Sequence, residues 1–285
     1  MKYLYYPGCS LKSSGALYED SLLAVLRTLG VEVEELHDWN CCGATNYMSI
    51  NEDSAIAITA RNLAIAAQQG GGDMIVPCAA CYMGLMKTQN YMATDTRLRE
   101  EVCKELSKVG LSCETNVRVR HPLDVLVNDV GLDAIKQAVK KPLNGVKAAC
   151  YYGCQLIRPI AVFDNAHDPQ TMDKIARALW AEPVEWPIKT RCCSGSMTST
   201  LTRIGLSMNF ELLREAKNRG ANVILTACPL CQFNLECFQG KISRSYHEDV
   251  HMPVMYFTQL MGMAFGLSHK ELGLKKMLSP DLKLA

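Results

Sequence analysis

Short apolar runs alternate with longer amphipathic stretches along this chain, and the alternation occurs twice. "KYLYYPGC" (2–9) and "VKAACYYGC" (146–154) are each a compact run of aromatic, aliphatic or small residues that ends in Gly-Cys. Both predict a strand that runs into a loop. Leu17, Leu22, Val25, Leu26 and Leu29 follow at helical spacing, and Met172, Ile175, Ala176 and Leu179 are their counterparts. A second strand is predicted in "VEVEEL" (31–36) and in "EPVEW" (182–186). Longer helices are expected around 53–69, with Ile56, Leu63 and Ala67 on one face, and around 205–219, with Met208, Leu212 and Leu213. Gly70–Gly72 and Gly220 stop them. The strands "DMIVP" and "NVILT" come next. Such alternation predicts an α/β architecture in which loops gather beyond the strand ends. The duplication predicts two α/β halves, 1–144 and 145–285, related by a pseudo-twofold axis.

The cysteines repeat with the elements. Fourteen in 285 residues is rich for a chain of this size. Ten of them form two quintets: Cys9, Cys41, Cys42, Cys78 and Cys81 read C-x31-CC-x35-C-x2-C, and Cys154, Cys192, Cys193, Cys228 and Cys231 read C-x37-CC-x34-C-x2-C. Each C-x2-C follows an apolar strand and opens a helical run. Pro229 directly after Cys228 suits a first helical position, and the free N–H groups of a helix start favour thiolate charge.

Bulk composition narrows the chemistry. Thirty basic against twenty-nine acidic residues give a net charge of +1 without a basic run, which argues against nucleic acid as a partner. The apolar patch in "MKYLYYPGCS" is shorter than the core of about 7 to 15 residues in a secretion signal. "VMYFTQLMGMAFGL" (254–267) falls short of the roughly 20 residues of a membrane span. The expectation is a cytoplasmic protein with no membrane span, where cysteine richness points to metal or redox chemistry rather than bridges.

Structural zinc takes four ligands, often as two C-x2-C knuckles, and each quintet has five cysteines and one knuckle. A dithiol relay would use the C-x2-C pairs and leave the vicinal pairs idle. A cubane needs only four thiolates. Five thiolates, two of them from one dipeptide, suit a larger or asymmetric iron–sulfur centre.

The twin pattern, with "NCCGA" at 40–44, "YYPGCS" at 5–10, "RHPLDVL" at 120–126 and "YYGC" at 151–154, resembles the CCG domain of the heterodisulfide reductase B subunit over essentially the whole chain. Related domains occur in succinate dehydrogenase anchors, glycolate oxidase subunits and sulfur-oxidising complexes. The resemblance implies two Rossmann-like CCG domains with a noncubane 4Fe-4S cluster on each quintet, five cysteines per cluster, facing a disulfide or dithiol substrate. That substrate would be the coenzyme M–coenzyme B heterodisulfide or a lipoate or sulfur-carrier equivalent. It further implies a ferredoxin-like 4Fe-4S subunit and a flavin-containing subunit as partners. Among the ligands Cys9, Cys42, Cys154 and Cys193 are the candidate catalytic positions. An electron-transfer or scaffold subunit without its own disulfide site is the alternative.

The second pair departs from the family pattern, with Ser194 in place of glycine and Gly195 one position later. A serine there is expected to crowd the backbone or shift a left-handed turn. His121, after "VRVR", is a candidate proton donor to a leaving thiolate, against the reading of a structural histidine ahead of Pro122. Lys12 and Arg158 are candidates for an anionic substrate group, against solvated charge. Cys103, Cys113, Cys150 and Cys237 lie off the pattern and read as free thiols. The apolar tail, with Met252, Met255, Met261 and Met263, is a candidate docking segment.

Overall fold

The apolar runs become strands of two four-stranded parallel sheets in the computed structural model, which describes residues 1–44, 46–114, 116–279 and 282. β1 (Lys2–Tyr5), β2 (Glu32–Glu35), β3 (Gly72–Ile75) and β4 (Val117–Arg120) lie in the order β2-β1-β3-β4. β5 (Lys147–Tyr151), β6 (Glu182–Pro183), β7 (Val223–Thr226) and β8 (Val254–Tyr256) lie in the order β6-β5-β7-β8. Every pairing is parallel. Helices cover both faces of such a sheet, so a central strand such as "VILT" is buried throughout and reads as an unbroken apolar run.

The main helices of the first half are α1 (Ala16–Thr28), α2 (Glu52–Gln68), α3 (Ala79–Thr94) and α4 (Thr96–Lys108). Those of the second are α5 (Thr171–Ala178), α6 (Thr202–Asn218), α7 (Pro229–Cys237) and α8 (Phe257–Ala264). The strand order positions the cysteines. The chain leaves β1 on one side, pairs as β2, and returns on the other side of β1 as β3, so the loops after β1 and β3 diverge and open a crevice at the strand ends. Cys9 lies in the first of these loops, and Cys78 and Cys81 follow the second. Cys154 after β5, and Cys228 with Cys231 after β7, repeat the arrangement.

The two sheets share one core. Leu22, Val25 and Leu26 of α1 belong to the same buried cluster as Met255, Leu260 and Met261 around α8. Tyr18 stacks on Tyr256 with ring centroids 4.5 Å apart and planes 3° from parallel, and the buried hydroxyls of Ser21 and Thr258 are 2.7 Å apart. The expected docking segment is thereby corrected: Met252, Met255 and Met261 are core residues, and the apolar stretch 254–267 is hydrophobic because it pairs as β8 and packs as α8. A second cross-half stack joins His121, just after β4, to Phe163, with centroids 6.0 Å apart and planes 2° from parallel. Tyr18 and Phe163 stand nine residues after Cys9 and Cys154 respectively, and His121 and Tyr256 close the last strand of each sheet, so the pseudo-twofold relates the two stacks.

A buried ion-pair network anchors the end of β4. Arg120 reaches Asp73 at 2.8 Å and Asp129 at 3.0 Å and also bonds Asp124, while the Tyr3 hydroxyl donates to Asp129 at 2.6 Å. The guanidinium is almost wholly buried, and three carboxylates satisfy it, which a buried charge requires. The network fixes the strand that carries His121.

Two cysteines outside the quintets differ from expectation. Cys103 of α4 and Cys113 form a disulfide rather than remaining free thiols. Cys150 is a buried free thiol in β5 and Cys237 an exposed one at the end of α7. Neither joins a quintet.

Candidate functional site

Each quintet is assembled from three loops. In the first half Cys42 and Cys81 lie with sulfurs 3.1 Å apart and Cys9 and Cys41 3.9 Å apart; in the second, Cys193 and Cys231 are 3.5 Å apart. Cys9 and Cys41 are exposed and Cys154 and Cys192 partly so, while the other six cysteines of the quintets are buried.

Matched contacts hold the loops in both halves. The Tyr6 hydroxyl donates to the Asn40 carbonyl at 2.7 Å, and the Tyr151 hydroxyl to the Arg191 carbonyl at 2.6 Å; these are the residues just before each vicinal pair. Thr59 of α2 donates to the Cys42 carbonyl, and Asn209, its counterpart on α6, to the Cys193 carbonyl at 3.1 Å. These residues carry no metal-ligand signature, so motif reading passes over them. Their equal placement in the two repeats is the signal that reveals them.

Backbone donors face the sulfurs. The N–H groups of Gly43 and Ala44 donate to Cys41 and Cys42, and those of Ser194 and Gly195 to Cys192 and Cys193. This cradle needs a left-handed residue after the vicinal pair, supplied by Gly43 at φ +66° and by Ser194 at φ +72°. Ser194 therefore neither shifts the turn nor closes it. Its hydroxyl bonds Thr198, and the backbone geometry matches that of the glycine.

The sulfurs share protons through one another. Cys42 is held well below the usual thiol range by hydrogen bonds from Cys41 and Cys81, and Cys78 by those from Cys228 and Cys81. Cys192 is held down to about 3, chiefly by Cys154 and Cys193. The contact between Cys78 and Cys228 joins the two knuckles across the halves. At Cys78, the first residue ahead of α3, the N–H groups of Ala80 and Cys81 add further stabilisation, as a helix start does for a thiolate.

His121 lies beneath this junction. It is fully buried, Nδ1 accepts from the Leu123 N–H at 3.2 Å, and Nε2 meets the Pro77 carbonyl at 3.1 Å and also faces that of Ala227. Pro77 and Ala227 are the residues immediately before Cys78 and Cys228. Burial pushes the imidazole down to about 4, so at neutral pH it is uncharged with its proton committed to backbone. The expectation of a proton donor is corrected accordingly: His121 positions both knuckles. Lys12 is ion-paired with Glu19 and Glu35 at 2.8 Å each, and exposed Arg158 bonds the Thr190 carbonyl.

Several features fit a sulfur-ligated cluster in each half. The donor set is all thiolate. Gly8, at φ +69°, and Gly153, at φ +66°, let the backbone pass so close that an added Cβ would stand 2.9 Å from Cys81 Sγ and 3.2 Å from Cys231 Sγ. Among the described residues no three His, Cys, Asp or Glu side chains gather tightly enough to hold a single metal ion; sulfurs meet in pairs, Cys9 with Cys41 and Cys42 with Cys81 in the first half and Cys193 with Cys231 in the second. Tyr18 and Tyr256 carry buried hydroxyls that have no hydrogen-bond partner among the described residues, and both feel the charge of Cys78 and Cys228.

An unpaired buried hydroxyl costs about 1–3 kcal/mol. Tyr256→Phe, which keeps the stacked ring, is therefore expected to stabilise the metal-free chain by about 1 kcal/mol in denaturant unfolding. A loss of stability would mean that the hydroxyl is already bonded.

The cysteine-rich domain model named CCG matches this chain twice, at residues 3–86 and 148–236. The chain belongs to the CCG cysteine-rich domain family. It is 29% identical over 275 residues to the 8-methylmenaquinol:fumarate reductase membrane anchor subunit of Wolinella succinogenes, covering 96% of this chain and 95% of that one. It is 26% identical over 276 residues to the B subunit of the ferredoxin/F(420)H(2)-dependent CoB-CoM heterodisulfide reductase of Methanosarcina acetivorans, covering 95% and 91%. To a protein of Archaeoglobus profundus described as like the heterodisulfide reductase B subunit it is 26% identical over 273 residues, covering 93% and 91%. The fold matches the crystal structure of a hypothetical protein from Helicobacter pylori with a TM-score of 0.77 at 15% identity; the match covers 98% of this CCG protein and 52% of that chain, about half its length. The domain and these relatives support a role like that of the heterodisulfide reductase B subunit, within a multisubunit oxidoreductase. Among the described residues no helix is long and apolar enough to cross a membrane.

Proposed function

We propose that this CCG protein is the catalytic subunit of a heterodisulfide reductase-like complex, holding two noncubane 4Fe-4S clusters and acting on a disulfide or on two thiols. Cys9, Cys41, Cys42, Cys78 and Cys81 would hold one cluster, and Cys154, Cys192, Cys193, Cys228 and Cys231 the other. The observation that carries the reading is the pairing of two all-thiolate sites, one at the matching strand ends of each sheet, on either side of one shared core. Bound there, such clusters would supply electrons singly, and two of them match the two electrons that, with two protons taken from solvent, convert a disulfide into two thiols. The chain's own part is to hold the sites. The N–H groups of residues 43, 44, 194 and 195 stabilise thiolate charge, and His121 fixes both knuckle backbones. The exposed Cys9 and Cys41 mark the side open to substrate or partner.

Candidate substrates are the coenzyme M–coenzyme B heterodisulfide and a lipoate or sulfur-carrier equivalent. A ferredoxin-like 4Fe-4S subunit and a flavin-containing subunit in a cytoplasmic complex would deliver the electrons. A second reading, an electron-transfer subunit without a disulfide site, is favoured by the likeness to the Wolinella membrane anchor subunit. Iron and acid-labile sulfide measured after anaerobic purification, followed by turnover of each disulfide with a one-electron donor, separate the two. About eight irons per chain and disulfide-dependent donor oxidation are expected. Eight irons without turnover, in the presence of the partner subunits, would favour the second reading. Two zincs and no labile sulfide would overturn both.

A further inference from the structure

The two halves match in backbone and in ligand count, but not in what their side chains direct at the sulfurs. Asn234 lies three residues after Cys231 on α7, fully buried, with its amide nitrogen 3.5 Å from Cys193 Sγ, 3.0 Å from the Cys193 carbonyl and 2.8 Å from the Gly195 carbonyl. The equivalent position, three residues after Cys81, is Gly84. A Cβ there would sit 3.6 Å from Ala44 Cβ and 3.9 Å from the Cys42 carbonyl, so the glycine occupies the same place over the vicinal pair and offers no donor.

A second difference lies on the outer side. Four residues after Cys154 stands Arg158, whose guanidinium is bonded to the carbonyl of Thr190, two residues ahead of Cys192. Four residues after Cys9 stands Ser13, which bonds the Cys9 carbonyl at 2.9 Å. The lysine nearest to it in sequence, Lys12, is neutralised by two carboxylates.

We infer that these substitutions make the two sulfur centres unequal, with Asn234 and Arg158 raising the reduction potential of the second-half centre so that it takes the first electron. This rests on the reading that each quintet holds a cluster. An electron added to a thiolate-bound centre increases its negative charge. N–H···S bonds and a nearby cation stabilise that charge and raise the potential. Burial acts the other way, since Cys154 and Cys192 are less exposed than Cys9 and Cys41. That difference is confined to the two outer ligands. The inner three are buried in both halves, with Cys42, Cys78 and Cys81 exposed by 3%, 4% and 3% and Cys193, Cys228 and Cys231 by 3%, 5% and 6%, so a direct donor and a full cation outweigh it. Asn234 and Arg158 are positioning residues: they act on the centre through its ligands.

The test is a redox titration of the iron-loaded protein with dithionite through one-electron mediators, followed by electron paramagnetic resonance and visible absorption. Wild type should show two one-electron steps. Asn234→Ala and Arg158→Gln should each lower the higher step by about 59 mV, a tenfold change in a one-electron equilibrium, and leave the lower step in place. Gly84→Asn should raise the lower step and narrow the gap. Arg158 is exposed, so Arg158→Gln decides the matter if Asn234→Ala loses iron. A higher step unmoved in iron-replete Arg158→Gln, or a shift in the lower step instead, would overturn the inference. A wild type without labile sulfide would overturn the cluster reading and this inference with it; eight irons with two coincident steps would overturn this inference alone.

Discussion

Cys42→Ser should cost the protein up to half of its iron and nearly all of its disulfide turnover. Cys42 is buried, its sulfur lies 3.1 Å from Cys81, and its carbonyl is tied to Thr59, so a serine oxygen fits the space but supplies a poor ligand for iron. The second quintet draws on other strands and keeps its own cradle, so its centre should survive with its spectrum little changed. Turnover should fall by more than about a hundredfold, beyond the 10–100-fold typical of losing a partner of a ligand, because one remaining centre can supply only one of the two electrons. Cys193→Ser should give the same loss of turnover with the opposite spectroscopic signal affected. The halves share one core, so unfolding midpoints must be compared alongside iron. A variant with halved iron and near-normal turnover would sink the two-centre mechanism and leave the affected site a storage or structural one.

The sequence made this experiment thinkable because ligand spacing and strand–helix alternation are local properties. The twin quintets, the strands ahead of each Gly-Cys and each C-x2-C, and the helices that glycines stop can all be read from periods of two and 3.6 residues. The pairing order cannot. Whether β3 lies beside β1 or beyond β2 is decided by which faces the helices cover, and only that order puts Cys9 and Cys78 on either side of one crevice. The meaning of the apolar tail was equally hidden, since a buried parallel strand and a docking surface have the same composition. Its place became clear through the Tyr18–Tyr256 stack, a contact across 238 positions. Ser194 shows a different limit. Glycine is preferred at a left-handed position, but a serine whose hydroxyl finds Thr198 adopts the same backbone, so a departure from the motif left the cradle unchanged. His121 was visible as a residue of interest, while its neutrality comes from complete burial, which outweighs the opposite pull of two backbone carbonyls from different loops.

The glycines ahead of the first cysteine of each quintet separate backbone preference from room for sulfur. Gly8 and Gly30 share the same left-handed conformation, at φ +69°, but no atom of the described residues lies within 4 Å of a Cβ built on Gly30, whereas one on Gly8 would meet Cys81 Sγ at 2.9 Å. Gly30→Ala should therefore cost only the conformational penalty of roughly 1–2 kcal/mol in stability and no iron. Gly8→Ala carries the same penalty and must also displace Cys81, a buried cysteine at the start of α3 whose backbone cannot yield without moving the helix. Up to half the iron should be lost, all of it from the first centre. Gly153→Ala, where the approach to Cys231 Sγ is 3.2 Å, asks the sulfur to give way by only a few tenths of an ångström, so its iron loss should be smaller and confined to the second centre. The measurement is iron per folded chain, with the unfolding midpoint of each variant taken in parallel. Full iron in Gly8→Ala at the stability of Gly30→Ala would mean that Cys81 does not stand against the Gly8 backbone when the site is loaded. The tight passage would then be a feature of the free thiols rather than of the centre they hold.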